Sequence, residues 1–142
     1  MYSMDIHAFW KAVLAQDART LRSFFHPDAI VNWHCTNEQF SVSEYIVANC
    51  EYPGQWDGEI ERIEQLGDLI ITVTLVYPVD KSCSFHVTSF LKTYDGKIQT
   101  MDEYWADDGS PPQWRLDKHI GKPVKSRKDT IPSGCLQNEL LA

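Results

Sequence analysis

Residues 94–107, YDGKIQTMDEYWAD, constrain the fold most, because they contain a hairpin turn followed by a strand that ends in two acids and two aromatic residues. An Asp-Gly pair is typical of a tight turn between antiparallel strands. Successive side chains of a strand point to opposite faces, so Glu103 and Trp105 share one face while Asp102 and Tyr104 share the other. Acids among aromatic side chains favour a strand that walls a pocket, with one carboxylate directed into it.

The length and charge of the chain limit the classes of protein it can belong to. Its 142 residues, 43% of them hydrophobic, suffice for one compact core and are too few for two ordinary domains. The formal net charge of −7 argues against nucleic acids and anionic membranes, which attract basic proteins. We expect one domain over residues 1–115 and a basic C-terminal extension over 116–142, either partly flexible or packed on a partner subunit.

The sequence lacks motifs for metals, cofactors and membrane insertion. The four cysteines form no C-x-x-C pair, and no two histidines have the spacing of a helical zinc site. The glycines are dispersed and form no phosphate-binding loop, so we expect no cofactor and no metal. The longest apolar stretch, residues 69–79, is too short for a membrane helix, and no signal peptide is recognisable. We therefore expect a cytoplasmic protein with reduced thiols.

Three helices are predicted in the first part of the chain. Apolar residues recur at helical spacing over residues 3–16. Asp17 can cap a second, short helix that ends at the His-Pro-Asp sequence of residues 26–28. Residues 41–44, Ser-Val-Ser-Glu, have the form of a capping box, so a third helix begins there and ends before the Pro-Gly pair at 53–54.

Most of the remaining chain is predicted to form strands. Residues 29–35 alternate, which places Ile30, Asn32 and His34 on one face and Val31, Trp33 and Cys35 on the other. Four further strands are separated by turn signals and cover residues 56–66, 69–77, 83–94 and 97–107. Helices segregated from a run of hairpins indicate an α+β fold, with the helices packed on one face of the sheet.

Two sequences in this pattern, FFHPDAIVNW near the front and YDGKIQTMDEYWADD near the back, resemble the nuclear-transport-factor-2-like (NTF2-like) superfamily in its SnoaL-like polyketide cyclase branch. The resemblance covers about residues 3–108. It implies a cystatin-like α+β roll, in which a strongly curved, mostly antiparallel sheet forms a cone with three N-terminal helices. It also implies an apolar cavity for a small ligand and a homodimer formed through the outer face of the sheet.

The resemblance further implies polar side chains that point into the cone. Members with enzymatic activity place polar residues on the first strand and a carboxylate on the last strand. The matching positions here are Asn32, His34 and Glu103, followed by Trp105. Members similar to limonene epoxide hydrolase add an acid and an arginine on the middle strands, where this chain has only threonines. The tyrosine and acids of ketosteroid-isomerase-like members have no counterpart that the sequence identifies.

Elementary electrostatics makes Glu103 and His34 candidates for acid–base catalysis. Burial in an apolar cone would raise the pKa of the Glu103 carboxyl toward the range useful for proton transfer. His34 would exchange the complementary proton and Asn32 would orient a carbonyl or a water, so the expected reaction is abstraction of a proton next to a carbonyl. The alternative is that His34 is a structural residue and Glu103 a rim or surface charge.

Additional ligand contacts are expected from the third helix and from aromatic residues. Tyr45 lies on the buried face of that helix, and Asn49 presents an amide near its end. Trp56 and Trp105 are placed at the cavity or its mouth, because indole favours one packed end and a partner for its N–H. Trp114 is expected in a loop that docks back, with the neighbouring arginine, on Asp107 or Asp108 or on a second subunit.

The position of His86 depends on the last hairpin. A two-residue turn would pair His86 with Trp105 on the cavity face, whereas a three-residue loop with a bulge would put Phe85 and Val87 there. The sequence leaves both registers open. In the second register His86 is an outward-facing residue near the expected dimer face.

Three functions are compatible with this pattern. The first is a cofactor-independent isomerase, cyclase or hydratase that acts on an apolar, carbonyl-bearing molecule, and it requires an enclosed cavity containing both Glu103 and His34. The second is a carrier or sensor, in which the polar groups of the cavity are already satisfied by one another. The third is a protein-interaction module with a filled cone and exposed apolar patches.

Overall fold

The computed structural model describes residues 4–125, which form four helices and six strands. The helices are α1 (Ile6–Ala15), α2 (Ala18–Arg22), α3 (Val42–Cys50) and α4 (Gln113–Asp117). The strands are β1 (Phe25–Trp33), β2 (Glu38–Ser41), β3 (Trp56–Leu66), β4 (Leu69–Pro78), β5 (Phe85–Tyr94) and β6 (Lys97–Asp107). The expected α+β class is confirmed.

The six strands form one curved sheet in the order β2-β1-β6-β5-β4-β3. Neighbouring strands are antiparallel except for β1 and β6, which run parallel. The three N-terminal helices supply apolar side chains that pack against one face of the sheet, which we call the inner face. The expected fold of a mostly antiparallel sheet packed with three N-terminal helices is therefore present.

Side-chain caps fix the starts of the three N-terminal helices, at the predicted residues for α2 and α3 and three residues later than predicted for α1. The carboxylates of Asp5 and Asp17 each accept a hydrogen bond from the backbone N–H three residues further on, at 3.0 and 3.2 Å. At α3 the capping box between Ser41 and Glu44 is complete in both directions. These bonds satisfy N–H groups that have no partner within the first helical turn.

The first strand begins at Phe25, four residues earlier than predicted, and the second helix is correspondingly shorter. Phe25 pairs with Ile98 of β6, and regular pairing resumes only at Ile30 because the register shifts between them. The His-Pro-Asp sequence lies within this irregular stretch. Proline is tolerated there because a shifted ladder does not require its missing N–H.

The short strand β2 is absent from the sequence prediction. It pairs with β1 after a tight turn, in which the backbone of Asn37 has a left-handed conformation with φ 57°. Asparagine adopts this conformation more readily than most residues. The Thr36-Asn37 pair is therefore the signal that could have revealed the hairpin.

A β-bulge in β6 determines which side chains of β5 face inward. The Asp95-Gly96 turn has two residues, both with positive φ, and is closed by the pair Tyr94 and Lys97. Two residues later the register shifts: Thr93 pairs with Ile98 and Lys92 with Thr100, which leaves Gln99 as the extra residue. The turn therefore has two residues, as in the register that would have placed His86 on the cavity face. The bulge nevertheless puts Phe85 and Val87 on the inner face, which is the arrangement predicted for a longer loop.

The C-terminal part of the described chain differs from its prediction. The loop after β6 contains the helix α4, and Trp114 is 57% exposed. Arg115 lies over the Trp114 ring at 5.7 Å from its centroid. Docking of this pair on Asp107 or Asp108 is therefore wrong within the chain, and docking on a second subunit stays a prediction. The proposed domain boundary also stays a prediction, and residues 126–142 of the basic extension lie outside the described residues.

The cysteines do not all match the expectation of reduced thiols. Cys35 and Cys50 are free, whereas Cys83 is disulfide-bonded, so the expectation is wrong at that position. Cys135 lies outside the described residues. No helix in residues 4–125 is long and apolar enough to cross a bilayer, and the cytoplasmic location stays a prediction.

Candidate functional site

Glu103 lies at the centre of a polar row on the inner face of the sheet. Strand pairing aligns Trp33 of β1 with Glu103 of β6, and Glu103 with Ser89 of β5. The Glu103 carboxylate accepts a hydrogen bond from the Trp33 indole N–H at 3.1 Å and another from the Ser89 hydroxyl at 2.6 Å. With 1% of its surface exposed, Glu103 is held as an internal acid, on the face that strand alternation predicts.

The environment of Glu103 shifts its protonation toward the neutral form. Burial raises the pKa of the Glu103 carboxyl, and the hydrogen bonds from Ser89 and Trp33 only partly oppose this effect. The nearby Trp105 N–H also lowers the pKa, although this buried N–H meets no acceptor within hydrogen-bond distance and angle. Glu103 is thus a desolvated carboxyl with donors on two sides.

His34 and Asn32 lie on the opposite face of the sheet from Glu103, so their predicted position inside the cone is wrong. The parallel ladder places Asn32 beside Asp102 and Trp33 beside Glu103. Trp33 therefore takes the inward position that the resemblance assigned to its polar neighbours. Both faces of this strand carry apolar residues, so the alternation alone could not decide which face is inward.

The outer face presents a partly exposed cluster built around Asp102. The Asp102 carboxylate lies 2.7 Å from His34 Nε2 and accepts a hydrogen bond from the Asn32 amide at 3.0 Å. The Asn32 carbonyl in turn accepts from Gln39 of β2. The His34 ring is stacked on Tyr104, with centroids 4.5 Å apart and planes inclined by 7°. The expected acid–base pair of Glu103 and His34 is consequently not formed.

A cavity of about 380 Å³ opens between the inner face of the sheet, α1 and the end of α3. Its wall contains five aromatic side chains in successive ring contact, and we call this set the aromatic wall. Following those contacts, it consists of Trp33, Trp105, Phe85, Trp56 and Tyr52. Centroid distances along the set are 6.4, 6.4, 5.9 and 5.5 Å. The predicted placement of Trp56 and Trp105 at the cavity agrees with this geometry.

Several polar side chains of the cavity are bonded to the protein itself. The Gln16 amide donates to the backbone carbonyls of Asn49 and Tyr52 at 3.0 and 2.8 Å. The Asn49 amide donates to the carbonyl of Val13 at 3.1 Å. The Trp56 indole N–H donates to Pro53 at 3.1 Å. These bonds connect α1 to the end of α3 and give the Gln16 and Asn49 amides and the Trp56 indole partners within the protein.

Tyr45 and Glu103 lie behind the cavity rather than at its surface. Tyr45 is 1% exposed and packs against Trp33 and Phe25, with centroids 6.2 and 5.5 Å away. Burial, with a smaller contribution from the Glu103 charge, holds the pKa of Tyr45 well above its usual range. A molecule in the cavity would reach Glu103 only if one of the intervening indoles moved.

The polar atoms that lack a hydrogen-bond partner cluster on the inner face. Among the buried polar side-chain atoms of residues 4–125 they are Thr74 Oγ1, Trp105 Nε1 and Asp107 Oδ1. Val87 pairs with both Thr74 and Trp105, so those two side chains share a row across the sheet. Asp107 lies one inward position further along β6, opposite Phe85. Unused hydrogen-bonding capacity is thus concentrated beside the aromatic wall.

His86 lies on the outer face, where it joins two carboxylates. Its Nδ1 is 2.5 Å from Asp108, which follows β6, and its Nε2 is 2.9 Å from Glu61 of β3. The Ser84 hydroxyl donates to the same Asp108 carboxylate, and Lys125 forms an ion pair with Glu61. The bulge in β6 produces this outward position, so His86 is separated from the cavity. No group of three or more metal-binding side chains occurs within the described range.

Solved structures match the chain where sequence comparison does not. No protein-family profile and no curated protein matches it. A protein assigned as a ketosteroid isomerase from Kribbella flavida aligns with a TM-score of 0.72 at 19% identity, covering 89% of this chain and 91% of that one. An NTF2-like protein of unknown function from Burkholderia xenovorans aligns with a TM-score of 0.68 at 22% identity, covering 83% and 91%.

Other structures with this fold differ in their assigned activities. A protein with a ketosteroid-isomerase-like fold from Catenulispora acidiphila, in complex with trimethylamine, aligns with a TM-score of 0.62 at 12% identity, covering 75% of this chain and 88% of that one. SnoaL-like polyketide cyclases and an epoxide hydrolase also match. The chain therefore has the NTF2-like fold that its sequence resembles, a fold shared by the SnoaL-like branch.

Proposed function

We propose that this protein binds a small, mainly apolar molecule in the cavity as a carrier or sensor. The observation that carries the proposal is an aromatic cavity of about 380 Å³ whose amide groups are bonded to the protein itself. Concave, largely preformed apolar sites of this size are typical of small-molecule binding. The trimethylamine complex of a protein with the same fold supports a small occupant. An open cavity disfavours the interaction module, which requires a filled cone.

Binding can be tested by calorimetry and tryptophan fluorescence with a panel of compact cyclic ketones, alcohols and amines. We expect at least one member to bind and to change the indole emission, because three tryptophans belong to the aromatic wall. Trp56→Leu should weaken binding, whereas Trp114→Leu is the matched control on an exposed indole. A panel that leaves heat and fluorescence unchanged would contradict the proposal.

An acid–base enzyme that uses Glu103 without His34 is the second candidate. It is favoured by the raised pKa of the buried Glu103 carboxyl next to the aromatic wall. This candidate requires an indole to move so that substrate reaches the carboxylate. It predicts that the protein accelerates exchange of the proton next to a ketone carbonyl and that Glu103→Gln abolishes the acceleration. If a ketone binds but its proton exchanges only at the uncatalysed rate, the enzyme candidate is contradicted and the carrier or sensor function is retained.

We further propose that two copies associate through the outer face of the sheet. Ile30 and Tyr104 are apolar or aromatic side chains on this face that are 38% and 45% exposed. Sedimentation at several concentrations should show a dimer, and Tyr104→Lys should shift it toward monomer. A wild-type protein that sediments as a monomer at every concentration would contradict this assembly.

A further inference from the structure

We propose that the cavity selects a compact organic cation, such as a methylated or cyclic ammonium, over a neutral molecule of the same shape. The inference rests on the proposed binding function and adds the chemical class of the ligand. Its starting point is the aromatic wall, in which five rings surround one side of a small cavity.

Three of the four ring contacts of the aromatic wall are steeply inclined, and the fourth, between Trp56 and Phe85, has an angle of 44° between the ring planes. The planes of Trp33 and Trp105 meet at 68°, those of Trp105 and Phe85 at 77°, and those of Trp56 and Tyr52 at 67°. In an edge-to-face contact, the ring that presents its edge keeps both of its faces free of that neighbour. The face of an aromatic ring carries negative potential and attracts a cation within about 6 Å of its centroid. A neutral molecule gains burial there but not this attraction.

Charges around the cavity also have the sign that favours a cation. Within the described chain, the residues that line it include Glu38 and no lysine, arginine or histidine. Asp107 lies opposite Phe85, with one buried carboxylate oxygen that has no hydrogen-bond partner. Glu103 lies directly behind the indole of Trp33, to which it is bonded. Among the described residues, the lining of the cavity therefore carries the negative charge of Glu38 and no fixed positive charge, and Asp107 and Glu103 add carboxyl groups behind the wall.

The pKa shifts of Asp107 and Glu103 agree with a lack of positive charge near their carboxyl groups within residues 4–125. Burial and the neighbouring Asp108 raise the pKa of the Asp107 carboxyl, and burial raises the pKa of Glu103. Both shifts mean that the protein itself supplies too little positive charge to stabilise the ionised forms. A cation in the cavity would supply part of it.

The direct test compares a cation with its neutral isostere on the full chain. Choline and 3,3-dimethylbutan-1-ol have the same shape, but the quaternary nitrogen of choline is replaced by carbon in the alcohol. Calorimetry at low salt should give a dissociation constant for choline at least tenfold lower than that for the alcohol. A second pair, benzyltrimethylammonium and neopentylbenzene, extends the comparison to a larger ligand.

Variants separate the two contributions to selectivity. Trp56→Leu should weaken choline binding more than binding of the neutral alcohol, because leucine retains apolar contact but has no ring face. Asp107→Asn should weaken choline binding about threefold or more and leave the alcohol unaffected. Asp95→Asn, in the exposed turn between β5 and β6, is the control for loss of one negative charge, and its left-handed backbone suits asparagine.

The outcomes distinguish this inference from the proposed function. Equal affinity within each pair, or neutral ligands that bind while both cations fail, would overturn cation selectivity and leave small-molecule binding intact. Failure of every cation and every neutral member of the panel would overturn both. Tighter binding of the cations, lowered by Asp107→Asn but not by Asp95→Asn, would support the inference.

Discussion

At the scale of single residues, the Glu103 carboxylate is deeply buried, and no positive charge beside it in the described part of the chain balances its own charge. It accepts from the Trp33 indole and the Ser89 hydroxyl, but no cationic side chain among residues 4–125 forms an ion pair with it. An ionised carboxylate in such surroundings costs free energy, so its protonation and the stability of the fold are linked.

Replacing Glu103 by glutamine should make stability less dependent on pH. The folded-state pKa of Glu103 lies above its ordinary value of 4.5, so its contribution is fully present below that value and is lost as pH rises through the folded pKa. The Glu103→Gln variant should therefore gain stability relative to wild type between pH 4.5 and neutrality. Urea unfolding across this range measures the difference, and exposed Glu59→Gln is the control. A difference that does not change with pH would contradict the prediction.

Removing the Ser89 hydroxyl should have the opposite effect at neutral pH. Ser89→Ala leaves one oxygen of a buried carboxylate without its donor, which costs about 1–3 kcal/mol. It should also raise the pKa of Glu103 further, because the hydroxyl bond favours the charged form. Urea unfolding and carboxyl NMR titration measure the two effects. Ser110→Ala, in an exposed loop, should change neither, and an unaltered Glu103 titration in Ser89→Ala would count against the assignment.

At the scale of helices and strands, the end of α1 is joined to the end of α3 by side-chain hydrogen bonds, two of which come from Gln16. The backbone of Gln16 is left-handed, with φ 54°, and its amide donates to the carbonyls of Asn49 and Tyr52. These carbonyls lie at and just beyond the end of α3, at the edge of the cavity. Gln16 therefore fixes the distance between two helices that both contribute to the cavity wall.

Gln16→Ala should destabilise the fold by about 1–2 kcal/mol and weaken ligand binding, because two carbonyl groups lose their donor. His119→Ala is a matched control, since His119 has the same left-handed φ of 54° and is exposed. Both variants therefore place alanine in a comparable backbone conformation. Thermal unfolding and calorimetry with a bound ligand measure the two effects. Equal losses in the two variants would indicate backbone strain alone.

The sequence predicted most of the elements because their signals are local. Hydrophobic spacing, the Ser41 capping box and the Asp95-Gly96 turn placed all three N-terminal helices and the four long hairpin strands. The site was predicted less well because it depends on register. The extra Gln99 reversed the facing of β5, and the parallel pairing of β1 made Trp33 rather than His34 the inward neighbour of Glu103. Neither a bulge nor a non-local pairing leaves a clear trace in one sequence.

At the scale of the whole molecule, the outer face carries an ion-pair network that connects distant parts of the chain. His86 of β5 lies between Glu61 of β3 and Asp108 after β6, and Lys125 pairs with the same Glu61. Each ring nitrogen of His86 has a carboxylate within hydrogen-bond distance, so this one side chain contacts both neighbouring parts of the sheet edge. The network thus attaches the segment after α4 to the sheet.

Glu61→Gln should lower stability by about 0.5–1 kcal/mol near neutrality and by less in acid. Burial acts to raise the pKa of Glu61, but Lys125 and His86 outweigh it and hold the pKa below its ordinary value of 4.5. The contribution is therefore present above 4.5 and is lost as pH falls through the folded pKa. Chemical unfolding at pH 7 and pH 3 measures the change, with Glu64→Gln as the control. An effect that persists undiminished at pH 3 would contradict it.

The parallel pairing of β1 with β6 has a consequence for how the protein is made. The ribosome releases Trp33 some seventy residues before its hydrogen-bond partner Glu103, so the aromatic wall cannot assemble until the last strand has emerged. Until then the early helices and β1 expose apolar side chains that a chaperone could cover. Contacts so distant in sequence are characteristic of slow folding, so ribosome-bound fragments that end before β6 should lack the cavity altogether.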